Sequence, residues 1–139
     1  MKVAFATQDL ARIDAHLGWA RHLMVYEVSA EGWVHLDTFR FESGLAADGD
    51  SAKLEPRLAA LAGCALLFAA GIGEAGERGC ARLRVVPLGR YALQPIATAL
   101  EALRDGLRGS VPPWLRRCEQ QYRRASNLDG RGGASDTLE

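Results

Sequence analysis

The spacing of hydrophobic residues changes along this chain, and each change marks the boundary of a predicted element. Runs that are almost wholly apolar are typical of strands buried on both faces, and residues 1–7 and 64–70 form two such runs. Two half-apolar segments flank the turn-forming stretch 29–32 and predict an antiparallel hairpin. The predicted strands are residues 1–7, 22–28, 33–41, 64–70 and 84–88.

Helices are predicted where apolar residues recur every three or four positions. The first ends before Gly63, although Pro56 obscures its start because an interior proline costs about 3 kcal/mol. The second, residues 74–83, follows a glycine-rich turn. The third is predicted to have Gln94 as its N-cap and Pro95 as its first residue. The apolar face of the first helix consists of Leu54, Leu58 and Leu61. The apolar face of the third helix, which ends before Gly109, consists of Ile96, Leu100, Leu103 and Leu107.

Three strands with antiparallel pairing, followed by α-β-α-β-α, predict an α/β protein with a ribonuclease H-like mixed five-stranded sheet covered by helices. The length of 139 residues fits one domain. We expect a core domain at 1–110, a basic C-terminal appendage at 111–124 and a disordered tail at 125–139. In the appendage, Pro112, Pro113 and Trp114 predict a stiff, extended exit from the last helix, with Trp114 folding back onto the core.

The charge balance and the cysteine content exclude several classes of protein. Lysine and arginine total 17 and aspartate and glutamate total 17, and this balance argues against a dedicated nucleic-acid-binding protein. No apolar run approaches the roughly 18 residues of a membrane span, and the N-terminus lacks the apolar run of a signal peptide. Three widely spaced cysteines fit a reducing compartment better than a disulfide framework. The chain is therefore expected to be cytoplasmic, with neither nucleic acid nor membrane among its partners.

Candidate chemistry begins in the polar turn 8–18 that follows the first strand. His16 lies there with Asp9 and Asp14, close to a buried strand, where sheet proteins commonly place ligand-binding side chains. A solvated or helix-capping histidine is the structural alternative. His22 and His35 fall within the predicted hairpin and are expected to be packing or surface residues.

Gly71, Gly73 and Gly76 fit the pattern G-x-G-x-x-G between a strand and a helix. A dinucleotide site is disfavoured, because the next strand follows after only about eight residues and no acidic residue closes it. Glycines for a tight turn are the simpler interpretation. The turn still leaves a helix N-terminus whose N–H groups can hold an anion. Since the strand before it is expected to lie beside the first strand, the turn is expected to share a surface with His16.

Other catalytic and metal-binding patterns are not found in the sequence. A two-metal nuclease needs converging carboxylates, normally with one on the first strand, and that strand has no acidic residue. The motifs G-x-S-x-G and C-x-x-C are both missing, and three scattered cysteines cannot build a Cys₄ cluster site. Cys64 is expected to be a small buried hydrophobe, whereas Cys80 and Cys118 could each donate a thiolate or have no role. An enzyme is not predicted.

Six short stretches carry a family resemblance: 1–7 (MKVAFAT), 14–20 (DAHLGWA), 26–28 (YEV), 63–68 (GCALLF), 71–73 (GIG) and 112–116 (PPWLR). Together they resemble the dinitrogenase iron–molybdenum cofactor biosynthesis family, over residues 1 to about 118. The resemblance implies the ribonuclease H-like fold, and it implies that the His-x-Gly turn, here His16 to Gly18, binds iron–sulfur cofactor intermediates. The family usually has Phe where Leu17 stands, a departure that does not touch the proposed ligand.

The resemblance implies a non-enzymatic carrier that escorts iron–sulfur precursors of the nitrogenase iron–molybdenum cofactor during nitrogen fixation. Its partners would be the nitrogenase cofactor assembly scaffold and the cluster-synthesising protein. We predict that the transiently bound cluster contacts His16, Gly18, Gly71 and Gly73, with His16 as an iron ligand through its neutral imidazole. The alternative is a protein-interaction module that docks on the assembly scaffold through the basic segment 104–124 and holds no cluster.

Overall fold

The computed structural model describes residues 1–41, 51–109 and 113–117, with the backbone alone at 51–53. Within these ranges the strands are β1 (Lys2–Thr7), β2 (His22–Ser29), β3 (Gly32–Arg40), β4 (Leu66–Phe68) and β5 (Val86–Leu88). The helices are α1 (Ser51–Ala60), α2 (Gly73–Leu83) and α3 (Ile96–Arg108), with a 3₁₀ helix at Leu17–Trp19 and a helical turn at 113–117.

The five strands form one mixed sheet in the order β3-β2-β1-β4-β5. The pairs β1–β2 and β2–β3 are antiparallel, whereas β1–β4 and β4–β5 are parallel. This arrangement confirms the predicted α/β fold class with a mixed sheet covered by helices. Because β1 and β4 run in the same direction, the loops that follow them leave the sheet at the same edge.

The apolar character of β1 follows from its two buried faces. Val3 and Phe5 belong to a cluster that includes α3, whereas Ala4 and Ala6 belong to a second cluster with α1 and α2. All four side chains are fully buried, and Phe5 stacks on Phe68 with ring centroids 5.2 Å apart. A polar side chain on such a strand would need a buried partner. The candidate functional groups therefore lie on the loops at its end.

The predicted hairpin is confirmed, with Ser29 opposite Gly32 at its turn. Its register shifts after Val25, because Leu36 on β3 has no residue opposite and forms a bulge. Leu36 and Val34 are 48% and 63% exposed on this edge strand. An edge strand with exposed apolar side chains can pair with another chain and aggregate. The bulge disfavours such pairing because it disrupts the regular hydrogen-bonding pattern of the strand.

The predicted apolar face of α1 is also confirmed, since Leu54, Leu58 and Leu61 are buried. Pro56 lies inside this helix, which begins at Ser51. The helices α1 and α2 pack closely because Gly79 has no side chain: a Cβ there would lie 2.5 Å from Leu58 Cδ1. The two helices together cover one face of the sheet.

The start of α3 differs from the prediction. Pro95, not Gln94, is the N-cap residue, with φ −60° and ψ 143°, and the helix begins at Ile96 without a side-chain cap. The Gln94 carbonyl instead accepts a hydrogen bond from the Ile13 N–H at 2.9 Å. This pairing with the loop after β1 keeps Pro95 extended, and it outweighs the preference of proline for the first helical position. The end of the helix at Gly109 is as predicted.

The extended exit predicted for the appendage is wrong for Pro113 and Trp114, because residues 113–117 are helical. Proline is tolerated in a first helical turn, where its missing N–H leaves no bond unmade. Trp114 does fold back onto the core, with its ring centroid 6.5 Å from that of Tyr91, and Leu115 is fully buried. Pro112 and residues 118–139, with the tail predicted to be disordered, lie outside the described residues.

Candidate functional site

His16 lies where the chain that leaves β1 enters the 3₁₀ helix. It is the N-cap residue of that helix, with extended backbone at φ −75° and ψ 139°. Its ring nitrogen Nδ1 accepts a hydrogen bond from the Gly18 N–H at 3.1 Å. The imidazole stacks on Trp19, with ring centroids 4.6 Å apart and planes inclined by 21°. His16 is therefore a capping histidine, as the structural alternative supposed, but capping uses only one of its two ring nitrogens.

The glycine turn after β4 lies directly beside His16. His16 and Gly71 form an isolated parallel bridge. The Leu17 N–H donates to the Gly71 carbonyl at 2.9 Å, and the Ala70 N–H donates to the Ala15 carbonyl at 2.9 Å. The shared surface predicted for these two segments is confirmed, and its cause is the parallel pairing of β1 with β4.

Three glycines surround the His16 ring. A Cβ on Gly71 would lie 2.9 Å from His16 Cδ2, a distance that real Cβ contacts essentially never show. A Cβ on Gly73 would lie 3.4 Å from Cε1, and one on Gly18 would lie 3.5 Å from Nδ1. Gly73 also has φ +75°, which favours glycine. The structure thus brings the four predicted site residues together, and the glycines leave space for the ring.

The Nε2 edge of the ring faces the start of α2. A Cβ on Gly73, the first residue of α2, would lie 3.5 Å from Nε2. The N-cap residue Ile72 has no side-chain acceptor, so no N–H group of the first turn donates a hydrogen bond to its side chain. Glu74 in that turn is exposed, and its carboxylate lies 3.9 Å from the Arg78 guanidinium. Free N–H groups at the positive end of a helix dipole favour an anion beside the imidazole.

The surroundings of His16 favour its neutral imidazole. Burial lowers the pKa of His16 below its ordinary value of 6.5, because desolvation disfavours the charged imidazolium. A neutral ring has one N–H and one lone pair on its two nitrogens. It can therefore act as a metal ligand or as a hydrogen-bond donor, and the partner of each nitrogen decides which.

The side chains of Asp14 and Gln8 fix the loop that carries His16. Asp14 accepts a hydrogen bond from the Gln8 N–H at 2.7 Å. The Gln8 side chain donates to the Trp19 carbonyl at 3.2 Å and accepts from the Arg21 N–H at 2.8 Å. One amide thus joins the start of the loop to the end of the 3₁₀ helix. Nothing in the sequence pattern distinguishes this glutamine from a solvated one.

Asp9 stabilises the first part of the same loop. Its carboxylate accepts hydrogen bonds from the Arg12 N–H at 2.8 Å, the Ala11 N–H at 2.9 Å and Arg12 Nε at 2.9 Å. The bond from the Arg12 backbone, followed by those from Ala11 and the Arg12 side chain, holds the pKa of Asp9 well below its usual value. Asp9 therefore has a structural role as a turn cap.

Arg57 on α1 anchors the other end of the 3₁₀ helix. Its buried side chain donates to the Ala20 carbonyl from Nε at 3.0 Å and from Nη2 at 2.8 Å. The guanidinium carbon lies 4.6 Å from the centre of the Phe41 ring. The sequence could have indicated this role of Arg57, because the residue lies one helical turn from Leu54 and next to Leu58, on a helix face that must be buried.

The other candidate ligands do not join this site. Cys64 is buried, as predicted, and burial raises the pKa of its thiol to about 11. Cys80 is fully buried, and burial raises the pKa of its thiol to about 11, which disfavours a thiolate role. Cys118 lies outside the described residues, and His22 and His35 lie on β2 and β3, as predicted. In the described part of the chain, no three His, Cys, Asp or Glu side chains are grouped so that they could hold a metal ion.

Comparison with known proteins shows the family to which the chain belongs. The model of the dinitrogenase iron–molybdenum cofactor family matches residues 1–106. The chain belongs to this family. It is 40% identical to the protein NifX of Herbaspirillum seropedicae over 121 residues, which are 87% of this chain and 83% of that protein. It is 36% identical to NifX of Rhodobacter capsulatus, over 84% of this chain and 76% of that protein. It is 32% identical to NifX of Sinorhizobium fredii, with the same coverage of 84% and 76%.

The resemblance inferred from the sequence motifs is thus confirmed. The dinitrogenase iron–molybdenum cofactor family takes part in the biosynthesis of that cofactor and is generally non-catalytic. A role in cofactor assembly implies protein partners. No helix among the described residues is both long and apolar enough to span a membrane.

Proposed function

We propose that this protein is a cytoplasmic, non-enzymatic carrier, which binds iron–sulfur precursors of the iron–molybdenum cofactor and passes them between assembly proteins during nitrogen fixation. Its partners would be the nitrogenase cofactor assembly scaffold and the cluster-synthesising protein. The observation that carries the proposal is the position of His16, ringed by Gly18, Gly71 and Gly73 beside the uncapped start of α2. The family membership supports it independently.

The chemistry of this arrangement suits an anionic cluster. Backbone N–H groups at the start of α2 and the imidazole of His16 provide donors that lie close together, because the glycines let the ring lie against the backbone of the turn. A cluster already holds its own sulfides, so the protein needs to supply only a few contacts. Few contacts also permit release, which a carrier requires. The proposed cluster-binding residues are therefore His16, Gly18, Gly71 and Gly73.

Anaerobic loading with isolated iron–molybdenum cofactor tests this function. Iron per protein is measured after desalting for the wild type, for His16→Ala and for His35→Ala, whose exposed histidine on β3 serves as the control. The wild type and His35→Ala should retain iron, and His16→Ala should lose most of it while staying folded. Equal retention in all three proteins, or in none, contradicts the proposal.

The second candidate is an interaction module that docks through the basic segment 104–124 without holding cluster. It is supported by the exposure of Arg116 and Arg117 at the end of the described chain. Two other arginines of the segment also contact the core: Arg104 lies over the Trp33 ring at 5.4 Å, and Arg108 donates to the Ala30 carbonyl at 3.2 Å. Any docking surface is therefore expected nearer the C-terminus.

Truncation after Arg117 combined with Arg116→Ala and Arg117→Ala separates the two candidates, and it retains Trp114 and Leu115, which pack on the core. A carrier should keep its iron after this truncation and lose only salt-sensitive docking to the assembly scaffold, because salt screens exposed charges over about 8–10 Å. An interaction module should show docking in the full-length protein and no iron retention in either form.

A further inference from the structure

The hydrogen bond within the His16 cap determines which ring nitrogen carries the proton. The Gly18 N–H points at Nδ1 from 3.1 Å, so Nδ1 acts as an acceptor and its lone pair is occupied. A neutral imidazole has a single N–H, and the partner of one nitrogen fixes the state of the other. In His16, the proton therefore lies on Nε2, the nitrogen that faces the start of α2.

The ring cannot exchange its two edges without losing contacts. A half-turn would place a carbon atom opposite the Gly18 N–H and leave that donor without its acceptor. Trp19 covers one face of the ring, and the backbone of Gly71 lies against the Cδ2 edge, closely enough that a Cβ would be 2.9 Å away. Within the described residues, Nε2 has no hydrogen-bond partner. Its N–H is therefore available to a ligand.

We propose that His16 contacts the cargo by donating a hydrogen bond from Nε2–H to a sulfur or oxygen atom on the surface of an anionic cluster, and that it does not ligate iron. The inference rests on the carrier function proposed above. Ligation through Nε2 would require that proton to move to solvent or to Nδ1. A proton on Nδ1 would face the Gly18 N–H and break the cap.

This contact defines the class of cargo. A donor recognises acceptor atoms that the cluster already carries, so no iron ligand has to be displaced at loading or restored at release. The site is then suited to clusters whose irons are fully coordinated and whose surface presents sulfide. The identity of a heterometal inside the cluster does not enter this recognition.

The free protein provides the first test. Nitrogen NMR of protein labelled with ¹⁵N-histidine distinguishes protonated from unprotonated ring nitrogens, and a His16→Asn spectrum assigns the signals among the three histidines. The expected result is a protonated Nε2 and an unprotonated Nδ1 in His16. The reverse assignment overturns the proposal without any reference to cluster binding.

The second test compares three substitutions at His16 in anaerobic loading with isolated iron–molybdenum cofactor. Asparagine is a strong N-cap residue whose side-chain oxygen can still accept from the Gly18 N–H, but it has no donor at the Nε2 position. Glutamine places an amide N–H close to that position. If His16 is a donor, His16→Gln should weaken binding less than tenfold, whereas His16→Asn and His16→Ala should each weaken it by about 10- to 100-fold.

The outcomes separate the two proposals. Equal loss in the glutamine, asparagine and alanine variants, with iron retained by the wild type, shows an iron–imidazole bond and overturns the donor role alone. A wild type that retains no iron contradicts the carrier function and removes this inference with it. Unfolding by urea, measured for every variant, shows whether a loss reflects the site or the fold.

Discussion

Replacing Gly71 with alanine tests the link between the glycine turn and His16. The added Cβ would lie 2.9 Å from His16 Cδ2, about 0.5 Å closer than the 3.4 Å at which ordinary contact begins. The ring cannot easily move away, because Trp19 and the Gly18 N–H hold it. The substitution should therefore displace the imidazole or spread the two loops apart.

The expected cost follows from two opposing effects. Overpacking of this kind costs about 1–3 kcal/mol, and displacing the ring also weakens the hydrogen bond to Nδ1. Replacing glycine with alanine returns about 0.4–1 kcal/mol by restricting the unfolded chain. The free energy of unfolding should fall by about 1–2 kcal/mol. Retained iron should fall as well, because Nε2 no longer occupies its position beside α2.

Urea unfolding and iron retention of Gly71→Ala should be compared with those of Gly89→Ala. A Cβ on Gly89 would meet nothing within 4 Å, so that variant isolates the general effect of a glycine-to-alanine change. It should be as stable as the wild type or more stable by up to about 1 kcal/mol, and it should retain iron normally. The reasoning is refuted if Gly71→Ala matches Gly89→Ala in both stability and iron content.

Three further predictions concern buried groups. An NMR titration of His16 should give a pKa below 6.5, and a pKa above 6.5 would contradict the reasoning. Because the unfolded chain then binds the proton more tightly than the folded protein, the free energy of unfolding should fall as the pH drops below about 6.5. Cys64→Ala should lower the free energy of unfolding by urea by about 1 kcal/mol without changing iron retention. In a folded Cys118→Ser variant, neither Cys64 nor Cys80 should react with a thiol reagent at neutral pH. Arg57→Ala should cost about 2–4 kcal/mol in the same assay, because it removes two charged hydrogen bonds and packing, and a loss under 1 kcal/mol would contradict that role.

The strands and the neighbourhood of the site could be predicted because local pattern and topology agree. A run of apolar residues that ends at a turn identifies a doubly buried strand, and the parallel pairing of β1 with β4 follows from the order of elements. That pairing alone brings His16 beside Gly71. The glycine spacing near β4 therefore indicated the turn that lies beside His16, although its motif is that of a dinucleotide site.

The start of α3 and the contacts of the His16 loop could not be predicted, because they depend on residues far apart in sequence. Gln94 is a poor cap by type and is held by Ile13, about eighty residues earlier. Gln8, Arg57 and Trp19 each act through a backbone carbonyl or a ring whose position is set by the fold. Residue type alone marks none of them, since glutamine and arginine are usually solvated and a tryptophan ring is usually part of the core.

The two hydrogen bonds that join the His16 loop to the glycine turn have a kinetic consequence. Because the Leu17 and Ala70 N–H groups already connect the loops, a ligand that touches both does not have to order them on arrival. The association rate is then limited by encounter and orientation, and the lifetime of the complex is set by the few donors that reach the ligand. Under the proposed carrier function, the cargo should therefore exchange rapidly, and a partner with slightly stronger contacts should be able to remove it.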